Sequence, residues 1–238
     1  MKTVLITGAN KGIGFETAKQ MAQLGYFVYL GSRDKSKGLD AVNKLNGLGI
    51  LTIDTLEIDV TNIDSVIKAR HELESNIESL DVLINNAGIA GEMPQNISNV
   101  EIDNLRKVFE TNFFGAVQTT QQFIPLLQKS TEPVIVNVSS ELGSLAIHSN
   151  RQNPNYELFD AYSCSKTALN AFTVMLANEF RDTNFKINSV SPGYTATDLN
   201  QFKGLQTAEQ GAKFIVKYAT LGSDGPTGGF FREVEIPW

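Results

Sequence analysis

Short apolar, β-branched runs along this chain alternate with longer stretches in which apolar residues return every three or four positions. The runs Thr3–Thr7, Phe27–Leu30, Leu51–Ile58, Val82–Asn85, Val134–Ser139 and Lys186–Ser191 predict strands. The stretches between and after them predict helices near 13–24, 36–47, 62–78, 100–129, 160–181 and 207–219. Alternation of this kind predicts βαβ units and a parallel sheet. Several runs are almost wholly apolar, as expected when helices cover both faces of the sheet. In the helix from Ala161, residues Leu169, Phe172, Leu176 and Phe180 fall at steps of three, four and four, an inward stripe that reads as core. No internal repeat or low-complexity linker breaks the pattern. A chain of 238 residues suits one large α/β domain or two small ones, and we expect a doubly wound parallel sheet in a single three-layer αβα domain over residues 1–238.

Composition narrows the function more than the fold. With 42% hydrophobic and 19% charged residues, the chain is globular rather than disordered. A formal charge of −6 with no basic cluster argues against nucleic acid as a partner. Cys164 is the only cysteine, so no intrachain disulfide forms, which fits a reducing compartment. The apolar run at Met1–Thr7 is too short for a signal peptide, and no run approaches membrane-spanning length. The expectation is a soluble cytoplasmic protein with no membrane partner. No Cys/His cluster has metal-ligand spacing, and no metal site is expected.

Tyr162 and Lys166 lie four residues apart in a predicted helix, on one face and one turn apart. A phenol titrates near 10 and is a poor acid or base at neutral pH. A fixed cation beside it favours the phenolate and is expected to pull that pKa down, giving a group that trades protons with an alcohol or carbonyl oxygen. The turn Thr7-Gly8-Ala9-Asn10-Lys11-Gly12-Ile13-Gly14 follows the first strand and opens a helix. Glycines there bring backbone close to a ligand, and the helix N-terminus favours a diphosphate. The second strand ends at Ser32-Arg33-Asp34. With no acid at the tip and Arg33 next, the pattern favours NADP(H), while Asp34 keeps NAD open. Asn85-Asn86-Ala87-Gly88 ends the fourth strand, where Asn side chains tie strand ends together and Gly88 admits a cofactor. Asn112 shares an inward helical row with Leu105, Val108 and Ala116, and a buried amide there needs partners. Ser139-Ser140 ends the fifth strand with two hydroxyls, and alternation does not say which one serves a substrate.

In order and over nearly the whole chain, Thr7-Gly8-x-x-x-Gly12-x-Gly14, Asn85-Asn86-Ala87-Gly88, Asn112, Ser139-Ser140, Tyr162-x-x-x-Lys166 and Pro192-Gly193 resemble the short-chain dehydrogenase/reductase family. Asn10-Lys11, Ser32-Arg33 and the tail Pro226–Phe231 look most like its NADPH-dependent carbonyl reductase branch. The resemblance implies a Rossmann-type fold and a catalytic set of Asn112, Ser140, Tyr162 and Lys166. Asn112 would hold a water of the proton relay, and Lys166 would also bind the nicotinamide ribose. Asp59 and Val60 would lie beside the adenine, and Pro192, Gly193, Thr195 and Thr197 would flank the nicotinamide.

The expected reaction is hydride transfer from NADPH to a ketone or aldehyde, reversible with the secondary alcohol, with Tyr162 as acid. Ile89, Leu142, Ile147, Tyr156, Tyr194 and Phe202 are expected to line an apolar substrate pocket. Ser140 and Tyr162 are farther apart than in most relatives, implying a short insertion at about 148–159. The family's dimer or tetramer and a monomer both stay open. Two other readings remain. A 3-oxoacyl-thioester reductase would need a basic patch for its acidic carrier, and only Lys203 and Arg151 are scattered candidates. A non-catalytic NADP(H) sensor would have no need of Ser140, Tyr162 and Lys166 together. His71 reads as solvated, and Cys164 as a small packed thiol.

Overall fold

The computed structural model describes residues 1–150, 152 and 159–238. Seven parallel strands run in the order β3-β2-β1-β4-β5-β6-β7. They are β1 (Thr3–Ile6), β2 (Phe27–Ser32), β3 (Ile53–Glu57), β4 (Val82–Asn85), β5 (Val134–Val138), β6 (Lys186–Val190) and β7 (Phe230–Phe231). The helices are α1 (Gly12–Gln23), α2 (Lys35–Asn46), α3 (Ile63–Asn76), α4 (Ile102–Phe109), α5 (Gly115–Leu127), α6 (Leu145–Ser149), α7 (Asp160–Glu179) and α8 (Ala208–Ala219).

The apolar strand runs have the expected cause. Val4 and Ile6 face a core with Met21 of α1, Leu45 of α2 and Ile215 of α8. Leu5 between them faces Leu73 of α3, Phe123 of α5 and Leu176 of α7. Successive strand residues thus enter opposite cores, and both must be apolar.

Every strand and helix expected from sequence is present, with ends shifted by a residue or two. Three features were not foreseen. The strand β7 is only two residues long and adds to the edge beside β6. The helix expected over 100–129 is interrupted by a π-helical turn at Glu110–Phe114. The stretch after Ser140 folds into a 3₁₀ turn, Glu141–Gly143, and then α6. The expected insertion lies mostly outside the described residues, as do Arg151 and Tyr156.

The chain reverses its direction of travel across the sheet between β1 and β4. In open α/β sheets the crevice at such a point, outside the carboxyl ends of the strands, is where ligands bind. The glycine turn follows β1, and Asn86-Ala87-Gly88 follows β4, so both motifs meet there.

Candidate active site

The glycine turn is held by the end of β4. The Asn86 side-chain amide donates to the carbonyls of Thr7 at 2.9 Å and Gly8 at 3.1 Å. In return the Thr7 hydroxyl accepts from the backbone of Asn86 and Ala87, both at 3.0 Å. This contact leaves no room for side chains. A Cβ on Gly14 would stand 2.5 Å from Asn86 Nδ2 and 2.7 Å from the Gly8 carbonyl oxygen, and one on Gly8, which has φ +62°, 2.9 Å from Ala87 Cα. Asp34, Asn62 and Thr207 cap α2, α3 and α8 with their side chains, but α1 has neither a side-chain cap nor an acid in its first turn. Its N–H groups and positive end are open toward the crevice. Ile13 packs inward against the core, and Asn10 is half-buried in the turn.

At the tip of β2 the structure separates three neighbouring residues. The buried Ser32 hydroxyl donates to the Asp34 carbonyl at 2.8 Å. Asp34 is spent on α2, accepting from the Lys37 N–H at 3.1 Å with the Lys37 ammonium 3.6 Å away. These bonds hold its carboxyl below the usual range. Arg33 is exposed and lines an open cavity of about 360 Å³ with Asp59, Ser65 and Lys68. Asp59 Oδ1 accepts from the Thr61 backbone and hydroxyl, and the buried Val60 gives its carbonyl to the Gln118 amide. Lys11 pairs with Asp198 at 3.2 Å, across the mouth of the crevice.

Ser140, the pair Tyr162 and Lys166, and Asn112 come from three segments and meet beside Gly88. A Cβ on Gly88 would be 3.3 Å from Asn112 Oδ1 and 3.6 Å from Lys166 Nζ. Ser140 follows β5 and its hydroxyl is hydrogen-bonded to the Tyr162 phenol. The other serine, Ser139, is buried and donates to Asn170 Oδ1 at 2.6 Å. Alternation along β5 thus gives Ser139 to the core and Ser140 to the site. Lys166 is 4% exposed, donates to the Val138 carbonyl at 2.8 Å, and places Nζ 5.6 Å from the Tyr162 ring centroid.

Within the folded protein the expected lowering of the phenol does not occur. Burial pushes Tyr162 up to about 12, and the bond from Ser140 opposes this only in part. Burial also pulls Lys166 down to about 8. At its distance from the ring, the ammonium does not offset the desolvation of either group.

Asn112 lies in the π-helical turn, and such turns are frequent at functional sites. Its Oδ1 accepts from the Ile89 N–H at 2.8 Å, and its Nδ2 donates to the Ile89 carbonyl and the Ser165 hydroxyl, both at 3.0 Å. Both amide donors are therefore taken, and the side chain works as a bracket between the loop after β4 and α7.

On the far side Pro192 is buried and Gly193 turns at φ +75°. The Thr195 hydroxyl is held within its own loop by the Pro192 carbonyl at 3.1 Å and Gln206 Nε2 at 2.8 Å. Thr197 lies over Gly12, its methyl 3.6 Å from where a Cβ would stand.

Of the expected pocket residues, Ile89, Leu142 and Ile147 are half-buried, while Tyr194 and Phe202 are 46% and 66% exposed. Cys164 is exposed rather than packed, because its place on α7 faces away from the sheet. Sequence reasoning did not find Gln95, Ser165 or Asn170. Ser165 and Asn170 could have been read from the inward face of α7. Gln95 sits in a loop without periodicity, and no signal marks it.

The sequence profile described as short chain dehydrogenase matches residues 2–208. The (+)-neomenthol dehydrogenase of Capsicum annuum is 32% identical, with 98% of this chain and 96% of that protein covered. Salutaridine reductase of Papaver bracteatum is 31% identical, with 99% and 96% covered. Among solved structures, salutaridine reductase from Papaver somniferum superposes with a TM-score of 0.87 at 30% identity, covering 98% of this chain and 100% of that one. NADPH-bound carbonyl reductase from chicken fatty liver also gives 0.87, at 25% identity, covering 100% and 99%.

Proposed function

The chain belongs to the short-chain dehydrogenase family, and on that premise we propose that it is an NADPH-dependent reductase of ketones or aldehydes, reversible with the secondary alcohol. The observation that carries this reading is the convergence of Ser140, Tyr162 and Lys166 next to Gly88, beside a glycine cradle that a single Cβ would fill. A sensor on the same fold has no use for that convergence.

The cradle fits a dinucleotide phosphate. The open N–H groups of α1 suit a diphosphate, and Arg33 suits a 2′-phosphate. Asp34, which would favour the ribose diol of NAD, is committed to α2. Asp59 and Val60 suit the adenine, and Pro192, Gly193, Thr195 and Thr197 wall the nicotinamide end. When bound, the nicotinamide supplies the hydride.

The protein's part is geometry and proton transfer. Ser140 donates a hydrogen bond to the substrate oxygen, and Tyr162 gives that oxygen its proton. The raised phenol pKa suits this direction, since a neutral phenol is the form that donates. Lys166 holds a positive charge under the site and would donate to the ribose of the bound cofactor. Asn112 positions the loop that carries Gly88 and Ile89. NADPH-bound carbonyl reductase, salutaridine reductase and neomenthol dehydrogenase among its relatives support a small hydrophobic carbonyl substrate. The exposed Tyr194, Leu199 and Phe202 fit that class better than a sugar phosphate.

The test follows NADPH absorbance over a panel of cyclic ketones, aldehydes and diketones, with Tyr162→Phe in parallel. General acid catalysis contributes about 10²–10⁴-fold, so the variant should lose at least about a hundredfold in kcat while binding NADPH as before. Near-normal turnover in Tyr162→Phe refutes the assigned role.

A further inference from the structure

Gln95 is fully buried in the loop between β4 and α4, where a polar side chain needs a reason. Its Nε2 donates to the Ala90 carbonyl at 2.6 Å, and its Oε1 accepts from the backbone N–H of Tyr162 at 3.1 Å. The second bond joins elements 67 positions apart.

Tyr162 is the third residue of α7, so its N–H is one of the four donors that a helix leaves without an internal partner. Phe159, at the cap position, offers no side-chain acceptor. Helices α2, α3 and α8 are closed by their own cap residues. In α7 the closure comes instead from the loop that carries Gly88 and Ile89. A neighbouring bond reinforces it, the Ile97 N–H donating to Asp160 Oδ2 at 2.8 Å.

We infer that Gln95 is a positioning residue that couples the seating of the loop after β4 to the placement of Tyr162. This inference rests on the proposed reductase reading. If the loop shifts, the first turn of α7 loses its closure, and the phenol moves relative to Ser140, which is held by a different strand. A misplacement of about 1 Å costs roughly a hundredfold in rate. The adenine end, built on β2 and β3, should not notice.

The experiment compares Gln95→Met, which keeps length but removes both bonds, with Asn104→Ala. Asn104 grips the same loop through the Glu92 backbone, at 2.9 and 2.7 Å, without touching Tyr162. Both variants are measured for NADPH affinity by fluorescence, for kcat and KM on the best ketone, and for amide hydrogen exchange. Gln95→Met should lower kcat about tenfold or more, leave NADPH affinity within about twofold, and deprotect the Tyr162 amide while residues 169–177 stay protected. Asn104→Ala should keep kcat within about threefold and the Tyr162 amide protected. Gln95→Asp, too short to reach both partners, should resemble Gln95→Met, while Gln95→Glu, which keeps the acceptor, should retain more Tyr162 protection. Equal losses of kcat in Gln95→Met and Asn104→Ala overturn the inference, as does an unchanged Tyr162 amide in Gln95→Met. If wild type reduces no carbonyl, the functional reading falls, and the clamp is decided by the exchange data alone.

Discussion

Arg33→Ala tests the phosphate preference without disturbing the cradle. Among the described residues, the Arg33 guanidinium makes no ion pair or hydrogen bond, so its removal leaves no internal partner stranded. Lys11, the other cation near the crevice mouth, already faces Asp198 at 3.2 Å, and Lys37 is occupied by Asp34. Arg33 is therefore the cation most available to a 2′-phosphate. A hydrogen bond to a charged group contributes about 1.5–3 kcal/mol. Each ~1.4 kcal/mol is tenfold in affinity, which brackets the loss between about 10-fold and 150-fold. The cavity at Arg33 is open to water, and screening favours the lower end, about 10- to 30-fold. Fluorescence titration should then show NADPH affinity falling by that factor and NADH affinity changing less than about twofold. Raising salt from about 50 mM to about 500 mM should weaken NADPH binding more in wild type than in the variant, because the paired charge is screened. Equal weakening of NADPH and NADH would refute the reasoning, since Arg33 would then serve the adenine or the fold. An unchanged NADPH affinity would do the same.

Two further predictions concern stability. Lys166→Met removes a buried ammonium whose folded pKa of about 8 lies below its usual 10.5. The unfolded chain then binds more protons between these values, so wild-type stability rises with pH from about 8 to about 10.5, and the free variant should be the more stable protein at pH 7. At ~1.4 kcal/mol per unit the gain is about 3 kcal/mol, less about 1 for the lost bond to Val138; urea unfolding should show the gap closing by pH 10, and a constant gap would refute it. Asn112→Ala strands the Ile89 N–H and carbonyl, while the Ser165 hydroxyl keeps its bond to the Tyr162 carbonyl; at about 1–3 kcal/mol for each of the two groups left unsatisfied, the fold should lose at least about 2 kcal/mol. A loss under about 0.5 kcal/mol in urea unfolding would show that water replaces the bracket.

What was legible in the sequence is what local rules write there. Strands β1, β2 and β4 were legible as nearly unbroken apolar runs, β3, β5 and β6 as β-branched runs with a few polar positions, and α7 because Leu169 and Leu176 repeat at helical spacing. The glycine turn was legible because close approach tolerates only Gly at positions 8 and 14. The π-helical turn was not, since it leaves the inward row through Val108, Asn112 and Ala116 almost in step. Alternation said that Ser139 and Ser140 point to opposite sides, but which side holds the site needed the placement of Asn170 and Tyr162 around the end of β5. Strand β7 was missed because two residues carry no periodicity. Gln95 was hidden because its importance lies in a bond to a backbone far away along the chain. The phenol's shift was read with the wrong sign. A nearby lysine in sequence says nothing of the burial that competes with it.

The two shifted groups also bear on the direction in which the site is poised. Burial holds the Tyr162 phenol well above its ordinary range, so at pH 7 the neutral form prevails, which on the proposed reading is the proton donor. Burial lowers Lys166 to about 8, which leaves the ammonium the prevailing form at that pH. Reduction needs a neutral phenol over a positive floor, which is the state already present. Alcohol oxidation needs the phenolate, and the ammonium, engaged with the Val138 carbonyl, does not by itself produce it. On the proposed reading, the oxidative direction would need the phenol to titrate lower than burial leaves it. Its rate should climb with pH through the range where reduction stays flat.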